Sequence, residues 1–340
     1  MYHSIDIAKL LMAVFVVAIH THPGISIGKN ADFYITDVLT KIAVPYFFVT
    51  SGFFIGRKLS FNEDGTLYSS NILYVKHYLR RILLLYIIWS VFYGCVELYE
   101  WLLTPSCERI SILSFFVSCG MSFLFVGTYY HMWYLQSMIL AVIALFLFLR
   151  IISYKNLTII GCVTYIIGSV VNIYMSDTIS SISATLYYRC FYNVFCIALP
   201  FIIWGIFIAR YHRPIRYSFV LAPIFYLLYI VEASFVHFSC DSNMSVSRLT
   251  MLLPTTVFIF NVIKETPINI SEKASTIFRQ LSTLIYFIHP LVIFGIGHIM
   301  KDFQNVNSFI WFISIVFLSI ILAYCVLRLT KYVKVLKYSF

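Results

Sequence analysis

The stretch that decides the fold is residues 4–22, which read SIDIAKLLMAVFVVAIHTH. Most of it is apolar, and about 20 such residues are what an α-helix needs to cross a bilayer. Asp6, Lys9 and His20 interrupt the apolar run. An anchor would not need them, because each charged group at the bilayer centre costs roughly 2.5–3.5 kcal/mol. The stretch therefore predicts a transmembrane helix that carries functional polar groups.

Composition extends this reading to the whole chain. Of the 340 residues, 61% are hydrophobic and only 11% are charged, whereas soluble domains have about 45–50% apolar and about 25% charged residues. So few charges could not cover a water-soluble fold of this size. Aromatic residues make up 19%, and Tyr and Trp are enriched at bilayer interfaces. We therefore expect lipid to be a partner of most of the surface.

Apolar stretches long enough to cross a bilayer recur throughout the chain. They predict an all-α polytopic membrane helix bundle of about ten transmembrane helices, forming a single domain over residues 1–340. The segment 110–127 is apolar but rich in Ser and Gly, and we expect it to be a short re-entrant or interfacial segment. The ten predicted spans are 4–22, 38–56, 79–103, 131–149, 157–175, 192–209, 217–236, 246–263, 281–299 and 308–328.

Basic residues predict the orientation. If the N-terminus is cytoplasmic, 18 of the 24 Lys and Arg residues lie on the cytoplasmic side, as the positive-inside rule requires. Both termini are then cytoplasmic, and the pattern favours a multi-pass protein of a bacterial plasma membrane. The same rule explains the net charge of +10, so no nucleic-acid partner is expected.

The first predicted helix places two ionisable groups on one side. Lys9 and His20 are eleven residues apart, which puts them about 20° apart around a helix and about 16 Å apart along it. An imidazole titrates near neutral pH and can take or give a proton. The alternative is an interfacial His20 at a helix end. The spacing of His20 and His22 alone fixes no metal coordination, and no metal is predicted.

Further polar side chains gather at the predicted outer ends of other helices, and His289 lies mid-depth in the ninth predicted span, one turn from Tyr286. Together they could bind and orient a polar acceptor. A structural reading stays open for several of them, because His131 and Trp133 suit an aromatic belt and Arg189 and Glu232 suit an ion pair. The candidates for substrate binding are His131, Trp133, Arg189, Glu232, His237 and His289.

A basic cluster opens the third predicted helix on the cytoplasmic side. It consists of Lys76, His77, Arg80 and Arg81. A cationic helix N-terminus favours anions, because free backbone N–H groups add to the side-chain charge. The phosphates of a nucleotide-type donor such as coenzyme A would suit it. Ordinary positive-inside residues explain the cluster equally well on charge alone.

Several of these segments together resemble the acyltransferase-3 family of integral membrane acyltransferases. Ile5-Asp6-x-x-Lys9 followed by residues 16–20, VVAIH, is similar to the first helix of the family, where the basic residue is usually Arg. Residues 44–53, VPYFFVTSGF, resemble its second helix. Lys76-His77-x-x-Arg80 stands where many members have Arg-Arg-x-x-Arg.

Within that family the chain most resembles the membrane part of vancomycin-resistance serine racemases. Residues 130–134, 189–193, 231–237 and 281–290 carry this likeness. The cytoplasmic racemase domain of those proteins is absent from the sequence, so we do not expect racemisation.

The resemblance implies transfer of an acyl group, usually acetyl from acetyl-coenzyme A, to a hydroxyl of a cell-envelope glycan or similar acceptor. It implies that His20, with Lys9 on the same face, is the catalytic group, either as a general base or as an acyl carrier. It also implies that the basic cluster binds the donor and that the outer polar side chains orient the acceptor. Two alternatives stay open, namely a transporter module for a small amino acid such as serine, and a scaffold without chemistry.

Overall fold

The structure is a computed structural model, and it is helical. Eleven helices and no β-strand occur in the part of the chain it describes, which confirms the prediction of an all-α polytopic membrane protein. The described residues are 2–105, 108–174, 186–211, 217–239, 249–299, 307–330 and 332. The helices are α1 (His3–Thr21), α2 (Lys29–Gly56), α3 (Ser69–Leu103), α4 (Ile112–Phe125), α5 (Trp133–Leu149), α6 (Tyr154–Tyr174), α7 (Tyr188–Arg210), α8 (Ser218–Ser239), α9 (Leu252–Glu265), α10 (Glu272–Ile299) and α11 (Ser308–Leu329).

Eight of these helices are long and apolar enough to cross a membrane. The remaining two predicted spans correspond to α5, with 17 residues, and α9, with 14. The segment predicted to be short and interfacial is α4, an apolar helix of 14 residues. The count of ten spans and the orientation of the termini stay predictions.

Two predicted helix starts are wrong. The second span was expected to begin at residue 38, but α2 begins at Lys29. Residues 29–37 look like a polar loop in sequence, yet Asp32 and Thr36 are buried and hydrogen-bonded to each other. The third span was expected to begin at residue 79, but the α-helical part of α3 begins at Ile72. The helix was predicted to begin too late because its first turns contain charged residues, which are unusual in an apolar span.

The chain divides into two compact units. Unit 1 is discontinuous and contains Met1–Ser51 and Tyr211–Phe340, whereas unit 2 is the continuous segment Gly52–Arg210. The prediction of a single domain over residues 1–340 stays a prediction.

In unit 1, α1 packs against α10, α10 packs against α11, and α8 packs against α9. Val17 of α1 and Ile285 of α10 are completely buried. Lipid tails are as apolar as these side chains, so close packing and interhelical polar contacts stabilise such helix pairs. One polar contact is a hydrogen bond from Ser275 Oγ of α10 to Asp6 Oδ2 of α1, at 2.7 Å.

In unit 2, α7 packs against α5 and α6. The last turns of α2 belong to this unit, and Gly52 lies directly against the backbone of Ile202 in α7. A Cβ at Gly52 would collide with the Ile202 carbonyl oxygen. Only glycine permits this approach, because small residues let membrane helices come close together.

Candidate functional site

Two imidazoles meet inside unit 1. The rings of His20 on α1 and His289 on α10 are stacked, with centroids 5.4 Å apart and planes 22° apart. His289 is completely buried, and Tyr286 lies one helical turn away with its ring 6.3 Å from that of His289. The packing of α1 on α10 therefore brings together His20 and His289, which sequence reasoning had assigned to different roles.

The tautomer of His289 follows from its hydrogen bond. Its Nδ1 lies 3.0 Å from the Ile285 carbonyl oxygen. A carbonyl only accepts hydrogen bonds, so Nδ1 carries the proton and Nε2 carries the lone pair. His298, farther along the same helix, makes the same kind of contact with the Phe294 carbonyl oxygen at 3.0 Å but is exposed. The stacking on His20 distinguishes His289 from His298.

Lys41 of α2 belongs to the surroundings of His20, although sequence reasoning did not select it. Its Nζ lies 3.1 Å from Asp37 Oδ1, and only 19% of its side chain is exposed. It is close enough to act electrostatically on the His20 ring, as are His22 and His289. A cation in this position can stabilise negative charge that develops on an acyl oxygen.

His22 and Asp32 form a second contact that sequence reasoning missed. His22 Nδ1 lies 2.8 Å from Asp32 Oδ2. The residues flank the turn that Pro23 and Gly24 introduce after α1, and a Pro-Gly pair is a strong turn signal. That signal could have pointed to their proximity, although not to the hydrogen bond itself.

Lys9 lies toward the opposite end of α1, beside Asp6. Its Nζ is 4.0 Å from Asp6 Oδ1, and Arg279 of α10 places a guanidinium nitrogen 3.8 Å from Asp6 Oδ2. Asp6 is buried, and burying a carboxylate is costly unless it is paired. The Ser275 hydroxyl and the two more distant cations meet that requirement in part, since Asp6 Oδ1 has no hydrogen-bond partner among the described residues.

Glu232 of α8 caps the start of α9. Its Oε1 accepts hydrogen bonds from the backbone N–H of Thr250, at 2.9 Å, and from the Thr250 hydroxyl. Its Oε2 accepts one from the backbone N–H of Met251, at 2.8 Å. A carboxylate at a helix N-terminus satisfies free N–H groups and interacts favourably with the helix dipole. These contacts give Glu232 a structural role, and its predicted substrate contact stays a prediction.

His237 of α8 stacks on Phe33 of α2. The ring centroids are 3.9 Å apart and the planes 12° apart. One turn earlier in α8, Ser234 Oγ is hydrogen-bonded to the Tyr34 hydroxyl at 2.9 Å. His237 is therefore held in unit 1, as are His20, His289 and Glu232.

The other predicted acceptor-binding residues lie in unit 2. His131 is buried beside Tyr93, with ring centroids 4.8 Å apart, and it also contacts Tyr129. Burial, with smaller contributions from Glu100 and Glu97, raises the pKa of Tyr129 to about 12. The Tyr129 hydroxyl therefore stays protonated near neutral pH and can donate a hydrogen bond. Trp133 is half-buried at the start of α5, and Arg189 is exposed near the start of α7.

The basic cluster lies on α3, also in unit 2. Lys76, His77, Arg80 and Arg81 are all exposed, and their spacing places them within about 140° of one another around the helix. The expectation that free helix N–H groups assist them is wrong, because α3 is already α-helical from Ile72. Any anion bound here would be held by the side chains alone.

In the described part of the chain, no group of three or more His, Cys, Asp or Glu residues could hold a metal ion.

Comparison with known proteins identifies the family of the chain. A family model described as an acyltransferase domain, of the acyltransferase-3 type, matches residues 2–328. No solved structure gives a significant match.

Three curated relatives also match. An amino-acid racemase of Enterococcus faecalis is 28% identical over 98% of this chain and 47% of its own length. A second amino-acid racemase of the same species is 23% identical over 98% of this chain and 46% of its own length. A serine/alanine racemase of Enterococcus gallinarum is 26% identical over 48% of this chain and 22% of its own length. The chain spans less than half the length of the two amino-acid racemases.

Proposed function

Because the chain belongs to the acyltransferase-3 family of multi-pass membrane proteins, we propose that it is a membrane O-acyltransferase. The proposed reaction moves an acyl group, acetyl in the simplest case, from acyl-coenzyme A to a hydroxyl of a cell-envelope glycan or a similar acceptor. The proposed location is the plasma membrane of a bacterium.

One observation carries this proposal, namely the stacked pair of His20 and His289 in the packed interface of α1 and α10. Polar side chains inside membrane helices are costly and mark functional sites. Neutral imidazoles are suited to proton transfer and to covalent relay of an acyl group. An apolar helix pair would pack without them, so their presence needs a chemical reason.

The proposed chemistry has two forms that share the same residues. In the first, His20 removes the proton from the acceptor hydroxyl, whose oxygen attacks the thioester carbonyl carbon and expels the coenzyme A thiolate. In the second, His20 attacks first and carries the acyl group to the hydroxyl. In both forms Lys41 stabilises the negative charge on the carbonyl oxygen, and His289 holds the His20 ring by stacking.

We assign the donor phosphates to the basic cluster of α3. The fit rests on three permanent cations, Lys76, Arg80 and Arg81, and on His77, all exposed along one side of the helix. Arg and Lys side chains are the usual partners of phosphates in proteins. Coenzyme A supplies the activated acyl group as a thioester.

We propose that the acceptor is bound in unit 1 by Glu232, His237 and His289, which lie in the same unit as His20. The acceptor contacts predicted for His131, Trp133 and Arg189 of unit 2 stay predictions. Lys9 lies at the other end of α1, beside Asp6. We retain the proposal that it takes part in catalysis together with His20.

The test uses purified protein in lipid nanodiscs with acetyl-coenzyme A as donor and N-acetylglucosamine as a hydroxyl probe. We expect release of free thiol together with formation of an acetyl ester. His20→Gln should lower kcat at least about 100-fold, which is the lower end of general-base contributions. His298→Gln is the matched control, because it changes an exposed imidazole on α10. Full turnover by His20→Gln would remove the proposed base.

The same preparation separates the proposal from amino-acid transport. Proteoliposomes that take up radiolabelled serine without any thioester, and that release no thiol from acetyl-coenzyme A, would favour a transporter module. Thiol release and ester formation without serine uptake would favour the acyltransferase.

A further inference from the structure

The turn after α1 holds a histidine in an unusual conformation. His22 is the residue that ends α1, with φ 49° and ψ 61°, in the left-handed region. Among the described residues other than glycine, only His22 and Tyr217 have a positive φ. This region is disfavoured for side chains with a Cβ, and residues held there cluster at functional sites.

A buried carboxylate fixes the imidazole of His22. Asp32 Oδ2 lies 2.8 Å from His22 Nδ1. A carboxylate only accepts, so Nδ1 carries a proton, and in the neutral form of the ring Nε2 presents the lone pair. The His22 side chain is 44% exposed, whereas that of Asp32 is 11% exposed. The result is an oriented, accessible imidazole with its basic nitrogen on the side away from the carboxylate.

The other oxygen of Asp32 is also fixed. Asp32 Oδ1 accepts hydrogen bonds from the backbone N–H of Gly24, at 3.1 Å, and from the hydroxyl of the buried Thr36, at 2.9 Å. These two bonds would secure the turn without any contribution from His22. The His22 imidazole is therefore a third hydrogen-bond partner of a carboxylate that already accepts two hydrogen bonds.

The close approach of the turn to α2 depends on glycine. A Cβ at Gly24 would lie 2.5 Å from the Asp32 Cα atom. Directly after Asp32, α2 widens into a π-helical segment, Phe33–Leu39, which contains Thr36. Such segments often occur at functional sites. The close approach at Gly24, the π-helical segment and the hydrogen bond from Thr36 thus all act on the position of the Asp32 carboxylate.

We propose that His22, positioned by Asp32, is the base that takes the proton from the acceptor hydroxyl. The inference rests on the proposed acyltransferase function and deepens it. It transfers the role of base from His20 to His22 and leaves His20 as the group that holds or carries the acyl group. In this division the half-buried His20, stacked on His289, is assigned to the acyl group, and His22, whose side chain is 44% exposed, is assigned to the acceptor.

The hydroxyl oxygen forms a bond to the acyl carbonyl carbon, and the bond from that carbon to sulfur, or to His20 nitrogen in the relay form, breaks. The hydroxyl proton moves to His22 Nε2, and Asp32 stabilises the imidazolium. His22 then releases the proton to water, while the coenzyme A thiolate takes one from water. The sum is thioester plus alcohol giving ester plus thiol.

Two substitutions of His22 separate chemistry from structure. Asn tolerates the left-handed conformation, and its side-chain NH2 can donate to Asp32, but it cannot take a proton. His22→Asn should therefore keep the turn and lose the base. Gly also tolerates this conformation, and His22→Gly leaves room for an added imidazole molecule. Asp32→Asn removes the charge that orients the ring.

The experiment measures acetyl transfer from acetyl-coenzyme A to N-acetylglucosamine in nanodiscs. We expect His22→Asn and His22→Gly to lower kcat about 100-fold or more with an unchanged KM for acetyl-coenzyme A. Added imidazole should restore His22→Gly by about tenfold or more and should not restore His22→Asn. Asp32→Asn should lower kcat without rescue. Thermal melting of each variant reports folding.

The outcomes distinguish the two proposals. If the wild-type protein transfers acetyl and folded His22→Asn keeps its kcat, the role of His22 is overturned and the acyltransferase proposal stands. Loss of kcat in His22→Gly that imidazole does not restore, in a folded protein, also overturns the role of His22. If the wild-type protein releases no thiol and forms no ester, the acyltransferase proposal fails and this inference fails with it.

Discussion

Asp6 and Ser275 are 269 residues apart in sequence, yet Asp6 Oδ2 accepts a hydrogen bond of 2.7 Å from Ser275 Oγ. This bond joins α1 to α10 at the end of the helix pair opposite His20 and His289. Arg279 Nη1 and Lys9 Nζ are farther from the carboxylate, at 3.8 and 4.0 Å. Of these three side chains, Ser275 is thus the closest to the carboxylate.

We expect Ser275→Ala to destabilise unit 1 by about 1–3 kcal/mol, because a buried carboxylate loses a donor. Thermal unfolding in detergent micelles measures the effect. Ser319→Ala is the matched control, since the buried Ser319 hydroxyl of α11 has no hydrogen-bond partner among the described residues. Equal melting temperatures for the two variants would contradict the role given to the Asp6–Ser275 bond.

His289→Phe should preserve the fold and weaken acceptor binding. A phenyl ring can still stack on His20, but it has no nitrogen to form a hydrogen bond with the acceptor. We expect the KM for N-acetylglucosamine to rise about two- to tenfold, as for the loss of a hydrogen bond of about 0.5–1.5 kcal/mol, with little change in kcat or in melting temperature. His298→Phe on the same helix should retain the wild-type KM, because His298 is exposed. Equal KM values for the two variants would show that His289 acts by stacking alone.

Removal of two cations from α3 should weaken donor binding. We expect Lys76→Ala combined with Arg80→Ala to raise the KM for acetyl-coenzyme A about three- to tenfold, because exposed charge pairs contribute about 0.2–1 kcal/mol each. The effect should shrink as salt rises, since exposed charges are screened over about 8 Å at physiological ionic strength. Lys155→Ala, also an exposed cation of unit 2, should leave this KM unchanged. A uniform response of all variants to salt would argue against a specific phosphate site.

Glu232→Ala should destabilise the start of α9 by about 1–2 kcal/mol, because two backbone N–H groups lose their acceptors. Glu232→Gln should recover part of this loss, since its carbonyl oxygen still accepts. The melting temperature measures how much stability is lost when this cap of α9 is removed. The predicted contact with substrate would add a higher KM for N-acetylglucosamine in Glu232→Gln, with an unchanged KM for acetyl-coenzyme A. A melting temperature unaffected by Glu232→Ala would refute the capping role.

Gly24→Ala and Gly295→Ala should change the stability of the protein in opposite directions. At Gly24 a Cβ would lie 2.5 Å from the Asp32 Cα atom, whereas at Gly295 of α10 a Cβ meets nothing within 4 Å. We expect Gly24→Ala to destabilise by about 1–3 kcal/mol and Gly295→Ala to stabilise by up to about 1 kcal/mol. The same melting experiment compares them. A neutral Gly24→Ala would mean that the turn does not need its close approach to α2.

Much of the fold was predictable because apolar runs dominate the sequence. The span predicted at 308–328 is α11 at Ser308–Leu329, and the one at 4–22 is α1 at His3–Thr21. The prediction failed where polar residues are buried by contacts that sequence alone does not show. Residues 29–37 were excluded from α2 for this reason, since Asp32 is buried through its bonds to His22, Gly24 and Thr36.

The sequence allowed single residues of the candidate site to be predicted, but not how they are arranged relative to one another. His20 and His289 were each selected for a polar group within an apolar run, but their stacking follows from the packing of α1 on α10. Lys41 could not be selected from the sequence, because nothing in its sequence neighbourhood points to His20. Which residues of two distant helices face each other is fixed by tertiary packing.

Unit 1 is built from both ends of the chain, and this has a consequence for biosynthesis. Ribosomes add about 5–20 residues per second, so roughly 13–54 seconds separate the synthesis of Asp6 from that of Ser275. During that interval the first helix carries a carboxylate and an imidazole whose partners on the tenth helix do not yet exist. The nascent chain must shelter these groups beside the translocation machinery, or in the lipid headgroup region, until the later helix arrives to receive them.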